Sequence, residues 1–298
     1  MTGTMMKEAT GAKETTGAKT GVQIRKLSPN IGAEVTGVDL RHVDAETARL
    51  LNRTVLDNVC MVIRDQHLTP EEFNAAAGIF GEVIVQDHPR YSFPGLPGVK
   101  RYSNFNTNVE GNRDRTAGHW HTDGAFRDVP PKFVLLYAVE IPDTGGDTDV
   151  VNMRTAYQAL PEAMRRKLEP LKTANVRASS SARTHLSADN LAIMAQGDQV
   201  PNIHPLVRTI EGVGEKGLYF DPSRVEYIVG MDPEASQDLL EEVLGMVIRP
   251  EFTYRHKWSL GDLLIFDNRA SLHRATYEYD WNQHRLMYHA MIKGERPH

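Results

Sequence analysis

Two segments far apart in the chain constrain its fold most: His119-Trp120-His121-Thr122-Asp123 and, near the C-terminus, Asp267-Asn268-Arg269-Ala270-Ser271-Leu272-His273-Arg274-Ala275. His-x-Asp followed at long range by a lone histidine is the donor set of a 2-His-1-carboxylate site, which binds one face of an octahedral metal and leaves the opposite positions open. A fold that uses this set must bring residue 273 back beside residue 121. If His121 and Asp123 sit on a strand, side chains two apart project from the same face and share one cation. His273, following a strand expected at 262–266, would complete the face from a neighbouring strand. Three open positions suit a bidentate co-substrate and O₂ on Fe(II), the arrangement of an oxygenase. Donor types alone leave zinc open, because two histidines and an aspartate with a vacant position also serve a zinc hydrolase.

The remaining pattern predicts a mainly β chain with flanking helices. Val22–Leu27 and Ala33–Val38 are short apolar stretches separated by Ser28-Pro29-Asn30, and read as paired strands. Asp44–Asn58 has apolar residues at helical spacing, with Asp44 as the cap. Val59–Ile63 is a buried-strand run. Thr69-Pro70-Glu71-Glu72 opens a second helix, with proline in the first turn and acids behind it. Phe133–Val139 and Thr148–Asn152 read as strands around the turn cluster Pro142–Asp147. Leu160–Leu171 and Asp232–Val247 read as helices. Phe252–Trp258, Asp262–Phe266 and Arg285–Lys293 supply three late strands. Many short strands with turn signals suit a double-sheet jelly roll, whose mouth brings side chains from adjacent strands together. Residues 1–21, rich in Thr, Gly, Lys and Ala, read as a disordered tail, and 22–298 as a single domain. The segment 177–205 has little periodicity and reads as a lid insertion.

Charge and cysteine usage exclude other classes. The net charge of −5, with both signs spread along the chain, offers no basic stripe for nucleic acid. No segment reaches the ~18 consecutive apolar residues of a membrane span, and the N-terminus lacks the apolar centre of a signal peptide. The one cysteine, Cys60, lies in the apolar run Val59–Ile63 and reads as a small core residue. With no intrachain disulfide to form, a cytoplasmic setting is expected.

From about Val22 to Gly294 the sequence resembles the taurine dioxygenase / 2,4-dichlorophenoxyacetate dioxygenase family of Fe(II)- and 2-oxoglutarate-dependent oxygenases. The motifs occur in the family's order: Gly32–Leu40, Phe80-Gly81-Glu82, Trp120-His121-Thr122-Asp123, Pro130-Pro131, Gly145-Gly146-Asp147-Thr148, His204-Pro205-Leu206-Val207, Gly217-Leu218-Tyr219, Trp258–Asp262, Asp267-Asn268-Arg269 and His273-Arg274-Ala275. The resemblance implies a double-stranded β-helix core and makes His121, Asp123 and His273 the iron ligands. It makes Arg285, 12 residues after His273, the partner of the distal carboxylate of 2-oxoglutarate, with Thr148 donating to the same group. A guanidinium fork suits a carboxylate through two parallel hydrogen bonds. Taken without the iron set, Arg285 reads as a surface ion pair and Thr148 as an ordinary strand residue. The implied reaction hydroxylates an unactivated C–H bond and converts 2-oxoglutarate and O₂ to succinate and CO₂. Desaturation, C–heteroatom cleavage and isonitrile formation are alternative outcomes of the same chemistry. Asp123 favours oxygenation over halogenation, because halogenases of this type carry a small residue there. A homodimer or homotetramer is the implied assembly.

The substrate pocket departs from the taurine-type pattern. Four residues after the co-substrate arginine that pattern has a sulfonate-binding arginine, whereas this chain has His289. His88 and Tyr91 fall at positions that bind the substrate anion in the family. Arg224 or Arg90 is the expected source of the missing positive charge, for a small anionic substrate such as an amino-acid-derived carboxylate or a sulfonate. His119 shares the face of His121 on an ideal strand and so is a cavity-lining candidate, with a packed core histidine as the alternative. Trp120 then points into the core. Asn104 and Phe105 lie in a loop where the family places substrate contacts. A zinc hydrolase, which has no need for the pair Arg285 and Thr148, and a silent small-molecule binder, disfavoured by the presence of all three ligands, are the competing classes.

Overall fold

The computed structural model describes residues 21–85, 91–107, 113, 117–179 and 200–298. The expected tail up to residue 20, most of the expected lid (180–199), His88 and Arg90 lie outside the described residues. The strands are β1 (Gln23–Lys26), β2 (Ala33–Thr36), β3 (Cys60–Ile63), β4 (Ser92–Phe93), β5 (Leu96–Ser103), β6 (Pro131–Glu140), β7 (Thr148–Asn152), β8 (Lys172–Asn175), β9 (Asn202–Pro205), β10 (Val207–Thr209), β11 (Lys216–Leu218), β12 (Val225–Ile228), β13 (Thr253–His256), β14 (Leu263–Asp267), β15 (Ser271–Ala275) and β16 (Leu286–Lys293). The helices are α1 (Ala45–Asn58), α2 (Pro70–Gly78), α3 (Met153–Ala159), α4 (Glu162–Leu168) and α5 (Pro233–Val247).

Eight strands form the main sheet in the order β1-β2-β3-β14-β6-β16-β5-β4, and three form a second sheet, β13-β7-β15. Strand alternation sorts their side chains into layers. Leu263 and Ile265 of β14, Leu135 and Tyr137 of β6, and Ala290 and Ile292 of β16 face α1 and α2, packing on Leu51, Val55, Phe73 and Ala77. Leu264, Phe266, Val134, Ala138, Met287 and Met291 face the other way and meet Val150 of β7. That shared core is the interior of the jelly roll. Outside the second sheet, Val151 and Leu272 pack on α3 and α5 through Met153, Ala156, Leu239 and Val243. The odd-numbered face of β16 therefore looks into the roll, which is the face carrying His289.

The cap signals appear where the sequence put them. Asp44 accepts from the backbone N–H of Thr47 at 2.7 Å, and Thr69 and Glu72 form a reciprocal capping box at the start of α2. The expected helix 160–171 is present as the shorter α4 (Glu162–Leu168), and an unexpected short helix, α3 (Met153–Ala159), precedes it across Leu160-Pro161. Leu160 adopts an extended conformation (ψ 147°), because the ring of a following proline excludes the helical region. The expected irregular stretch 177–205 closes on a regular strand, β9, paired with β8. Cys60 is buried, and burial pushes its thiol up, so it stays a protonated core residue.

Candidate metal and co-substrate site

His273 sits at the centre of β15, held opposite Val150 of β7. Its ring lies against Phe266 of the interior core, with centroids 4.4 Å apart. On its other side His273 pairs with His121: each backbone N–H donates to the other's carbonyl, at 3.0 and 2.9 Å. This is an isolated bridge and not the regular strand expected for 119–123. The chain turns as soon as Asp123 is placed, at Gly124 with φ 66°. One bridge is enough to set the two imidazoles side by side, with ring centroids 4.1 Å apart. One ring nitrogen of each histidine and one carboxylate oxygen of Asp123 lie within 4.8 Å of one another.

The donor set fits a divalent metal in its protonation as well as its position. Nδ1 of His121 lies 2.9 Å from the carbonyl of His119. A carbonyl only accepts, so Nδ1 carries the hydrogen and Nε2 keeps its lone pair. That Nε2 is 3.8 Å from Oδ1 of Asp123. Burial pushes the His273 ring well below its ordinary range, as does the neighbouring His121, so it is neutral at physiological pH. Its Nδ1 is buried with no hydrogen-bond partner, the state of a nitrogen that awaits a ligand. Burial raises the Asp123 carboxyl, but the hydrogen bond from His289 and the surrounding imidazoles outweigh it and hold the group well below the usual carboxylate range. Metal ligands must be deprotonated or neutral in this way.

The two co-substrate candidates are linked through one turn. Gly145 and Gly146 turn through positive φ (75° and 69°) and present the Gly146 carbonyl to Nε of Arg285 at 3.0 Å. A Cβ on Gly145 would fall 1.8 Å from the Glu278 carbonyl oxygen, so the turn has room for glycine alone. Two residues on, the buried Thr148 hydroxyl accepts from the indole N–H of Trp258 at 3.2 Å. Burial pushes the Arg285 guanidinium down from its ordinary value, and it stays a cation because that value is so high. Asn104 fixes the arginine backbone, its own N–H donating to the Arg285 carbonyl (3.2 Å) and its Oδ1 accepting from the Arg285 N–H (2.9 Å).

Arg285 borders a shallow cleft whose wall includes Tyr91, Tyr102, Asn104, Asn106, Tyr277 and Tyr279; it reaches β15 at Ala275 but is not lined by His121, Asp123 or His273 themselves. Of the expected substrate residues, Tyr91 and Asn104 are in this wall. Phe105 is largely exposed and stacks on His284. His119 is exposed, and its carbonyl, by fixing the His121 tautomer, does more for the metal site than its ring. Trp120 packs into the outer core beneath Arg274. Arg224 does not border the cleft; it lies over Phe126, near Asp221 and the carbonyl of Arg177. His289 is on the interior face as the alternation requires, but its Nε2 bonds Oδ2 of Asp123 at 3.0 Å. Sequence reasoning gave no role to Trp258, Asn268 or the tyrosines 102, 277 and 279. Of these, only Trp258 and Asn268 stand within recognisable motifs.

A two-histidine, one-carboxylate cluster in a jelly roll that also carries a half-buried, backbone-braced arginine is the arrangement of a non-haem iron oxygenase. The model of the taurine catabolism dioxygenase TauD, TfdA family matches residues 23–291, and the chain belongs to that family. An alkylsulfatase of Acinetobacter baylyi is 31% identical, the match spanning 92% of this chain and 86% of that protein. The alpha-ketoglutarate-dependent 2,4-dichlorophenoxyacetate dioxygenase of Cupriavidus pinatubonensis is 30% identical, over 87% of this chain and 93% of its own length. The crystal structure of AAD-2 in complex with Mn(II) and N-oxalylglycine superposes with a TM-score of 0.77 at 29% identity, covering 93% of this chain and 98% of that one. The protein is thus a 2-oxoglutarate-dependent oxygenase that works with Fe(II), 2-oxoglutarate and O₂, and the zinc-hydrolase alternative falls away. Among the described residues no helix is long and apolar enough to cross a membrane.

Proposed function

We propose that this oxygenase, a single catalytic domain over residues 22–298, hydroxylates an unactivated C–H bond of a small anionic metabolite. The substrate class is a carboxylate, sulfonate or sulfate ester. In this reading His121, Asp123 and His273 hold Fe(II), and Arg285 with Thr148 holds the distal carboxylate of 2-oxoglutarate. The observation that carries it is the convergence of the three donors within 4.8 Å, with an arginine braced by Gly146 and Asn104 on the cleft that Ala275, two residues after His273, also lines.

When bound, Fe(II) supplies the activation of O₂ that couples decarboxylation of the keto acid to oxidation of the substrate. The chain supplies the rest. Arg285, already desolvated and tethered through Nε, grips a carboxylate without reorganising. Thr148 has its acceptor side taken by Trp258, so its own proton points to a second acceptor. The cleft wall of tyrosine hydroxyls and side-chain amides offers neutral donors for the substrate anion, with Tyr91 and Asn104 the wall residues that the sequence also nominates. The balance is substrate C–H, 2-oxoglutarate and O₂ giving substrate C–OH, succinate and CO₂. Anion recognition is supported by the relatives, one named an alkylsulfatase and another a 2,4-dichlorophenoxyacetate dioxygenase.

A screen of small carboxylates, sulfonates and sulfate esters for O₂ uptake coupled to succinate tests the reading. The expected product gains one oxygen atom. Uptake that no anion accelerates overturns the substrate class, and a product that has lost two hydrogens replaces hydroxylation by desaturation.

A further inference from the structure

The interior histidine that takes the place of a substrate-binding arginine has a different partner in the structure. His289 lies on β16 between β5 and β6, paired with Lys100 on one side and Leu136 on the other. Its backbone is thereby fixed from both flanks, and its side chain is buried. The ring meets Tyr102 of the cleft wall edge-on, with centroids 5.3 Å apart. Its Nε2 is 3.0 Å from Oδ2 of Asp123. The two oxygens of that carboxylate face different ways: Oδ1 is the one near Nε2 of His121, at 3.8 Å, and Oδ2 is the one His289 takes. A carboxylate ion only accepts hydrogen bonds, so His289 donates from Nε2.

We propose that His289 is a positioning residue for the metal centre: it ties down Oδ2 so that Asp123 offers the metal a single oxygen. This inference rests on the assignment of Asp123 as a ligand. The count of coordination positions gives it consequence. Three protein ligands leave three positions, two for the keto acid and one for O₂. An aspartate free to swing both oxygens onto the metal takes a fourth and leaves no place for O₂ once 2-oxoglutarate has chelated. A donor on the outer oxygen prevents that swing and orients the inner oxygen, the general role of groups that hydrogen-bond to metal ligands. It also explains the residue type. Histidine at this depth reaches Oδ2 with one N–H, whereas an arginine there would project a full charge toward the substrate.

The test uses the whole chain, with Mn(II) as the probe, followed by calorimetry and by its paramagnetic resonance signal. His289→Phe keeps the ring against Tyr102 and removes the donor, and His289→Gln keeps an N–H in place of Nε2. Mn(II) affinity is expected to fall about 10- to 100-fold in His289→Phe and to recover to within a few-fold of wild type in His289→Gln, with both proteins folded by circular dichroism. Wild-type Mn(II) affinity in His289→Phe, or equal losses in both variants, overturns the proposal. Asp123→Ala separates this outcome from failure of the underlying assignment: if that variant binds Mn(II) as tightly as wild type, Asp123 is not a ligand and the site reading itself fails. Should His289→Phe not fold, the Mn(II)-loaded wild-type crystal structure decides. One coordinating oxygen of Asp123 with the other on His289 supports the proposal, and two coordinating oxygens overturn it.

Discussion

Asn268 and Asp123 hold each other by a reciprocal pair: the Asp123 N–H donates to Oδ1 of Asn268, and Nδ2 of Asn268 donates to the Asp123 carbonyl, both at 2.9 Å. The same amide accepts from the Thr122 hydroxyl and donates to the Pro131 carbonyl. It lies in the turn between β14 and β15, five residues before His273. One fully buried side chain thus fixes the backbone of one candidate ligand against the turn that launches another. Asn268→Ala leaves a buried backbone donor and acceptor without partners, at about 1–3 kcal/mol for each such group. Urea unfolding is expected to show a loss of about 3 kcal/mol, with Mn(II) affinity reduced in the fraction that stays folded. A loss under 1 kcal/mol would show that water replaces the amide.

Trp258 orients Thr148. An indole N–H can only donate, so the Thr148 oxygen must accept it and direct its own proton elsewhere. Trp258→Phe removes the N–H and keeps most of the ring. Affinity for 2-oxoglutarate is expected to fall about fivefold, the size of one neutral hydrogen bond, when measured anaerobically on the Fe(II) form. An unchanged affinity would remove Thr148 from the co-substrate site.

Arg285 is expected to dominate co-substrate binding. Arg285→Gln removes a desolvated charge and should weaken 2-oxoglutarate about 100-fold, since breaking a buried charge-assisted contact costs upward of ~2 kcal/mol. Arg285→Lys should recover only part, because an ammonium cannot match a carboxylate with two parallel bonds. The measurement is the KM for 2-oxoglutarate with kcat followed separately; a change confined to kcat would contradict the assignment.

Much of this could be read in the sequence because burial leaves a simple mark. The runs at β3, β6, β14 and β16 are apolar on both faces, since each strand has a core on either side. The donor set was legible because His121, Asp123 and His273 are chemically unusual together. Other features carried weaker marks. Ser271–Ala275 has no strand-like pattern and forms β15 because β7 lies beside it. The short helix α3 (Met153–Ala159) carries no legible mark, because seven residues between a strand and Pro161 give too little periodicity to signal a helix. The contact of His289 with Asp123 depends on a register between strands more than 100 residues apart, which local sequence does not encode. Asn268 looks like any turn asparagine until the four hydrogen bonds of its side chain to Thr122, Asp123 and Pro131 are seen.

Three buried histidines make stability depend on pH. Burial lowers His204, His256 and His273 below the ordinary value of 6.5. The unfolded chain then binds more protons than the folded one in the window from about 6.5 downward, so the metal-free protein is expected to lose stability as the pH falls through it and to gain none above. Denaturation midpoints at pH 7.5, 6.5 and 5.5 check this. His204→Gln should flatten the slope, because an amide does not titrate there. A flat profile between 7.5 and 5.5 would mean that these rings are hydrated or paired in solution.

The most direct measurement is the visible spectrum of the protein with Fe(II) and 2-oxoglutarate under strict exclusion of air. The account expects a weak charge-transfer band in the wild type that saturates at one iron per chain and is absent in His121→Ala and His273→Ala. A folded wild-type protein that shows no band, or a band of full strength in either variant, would contradict it.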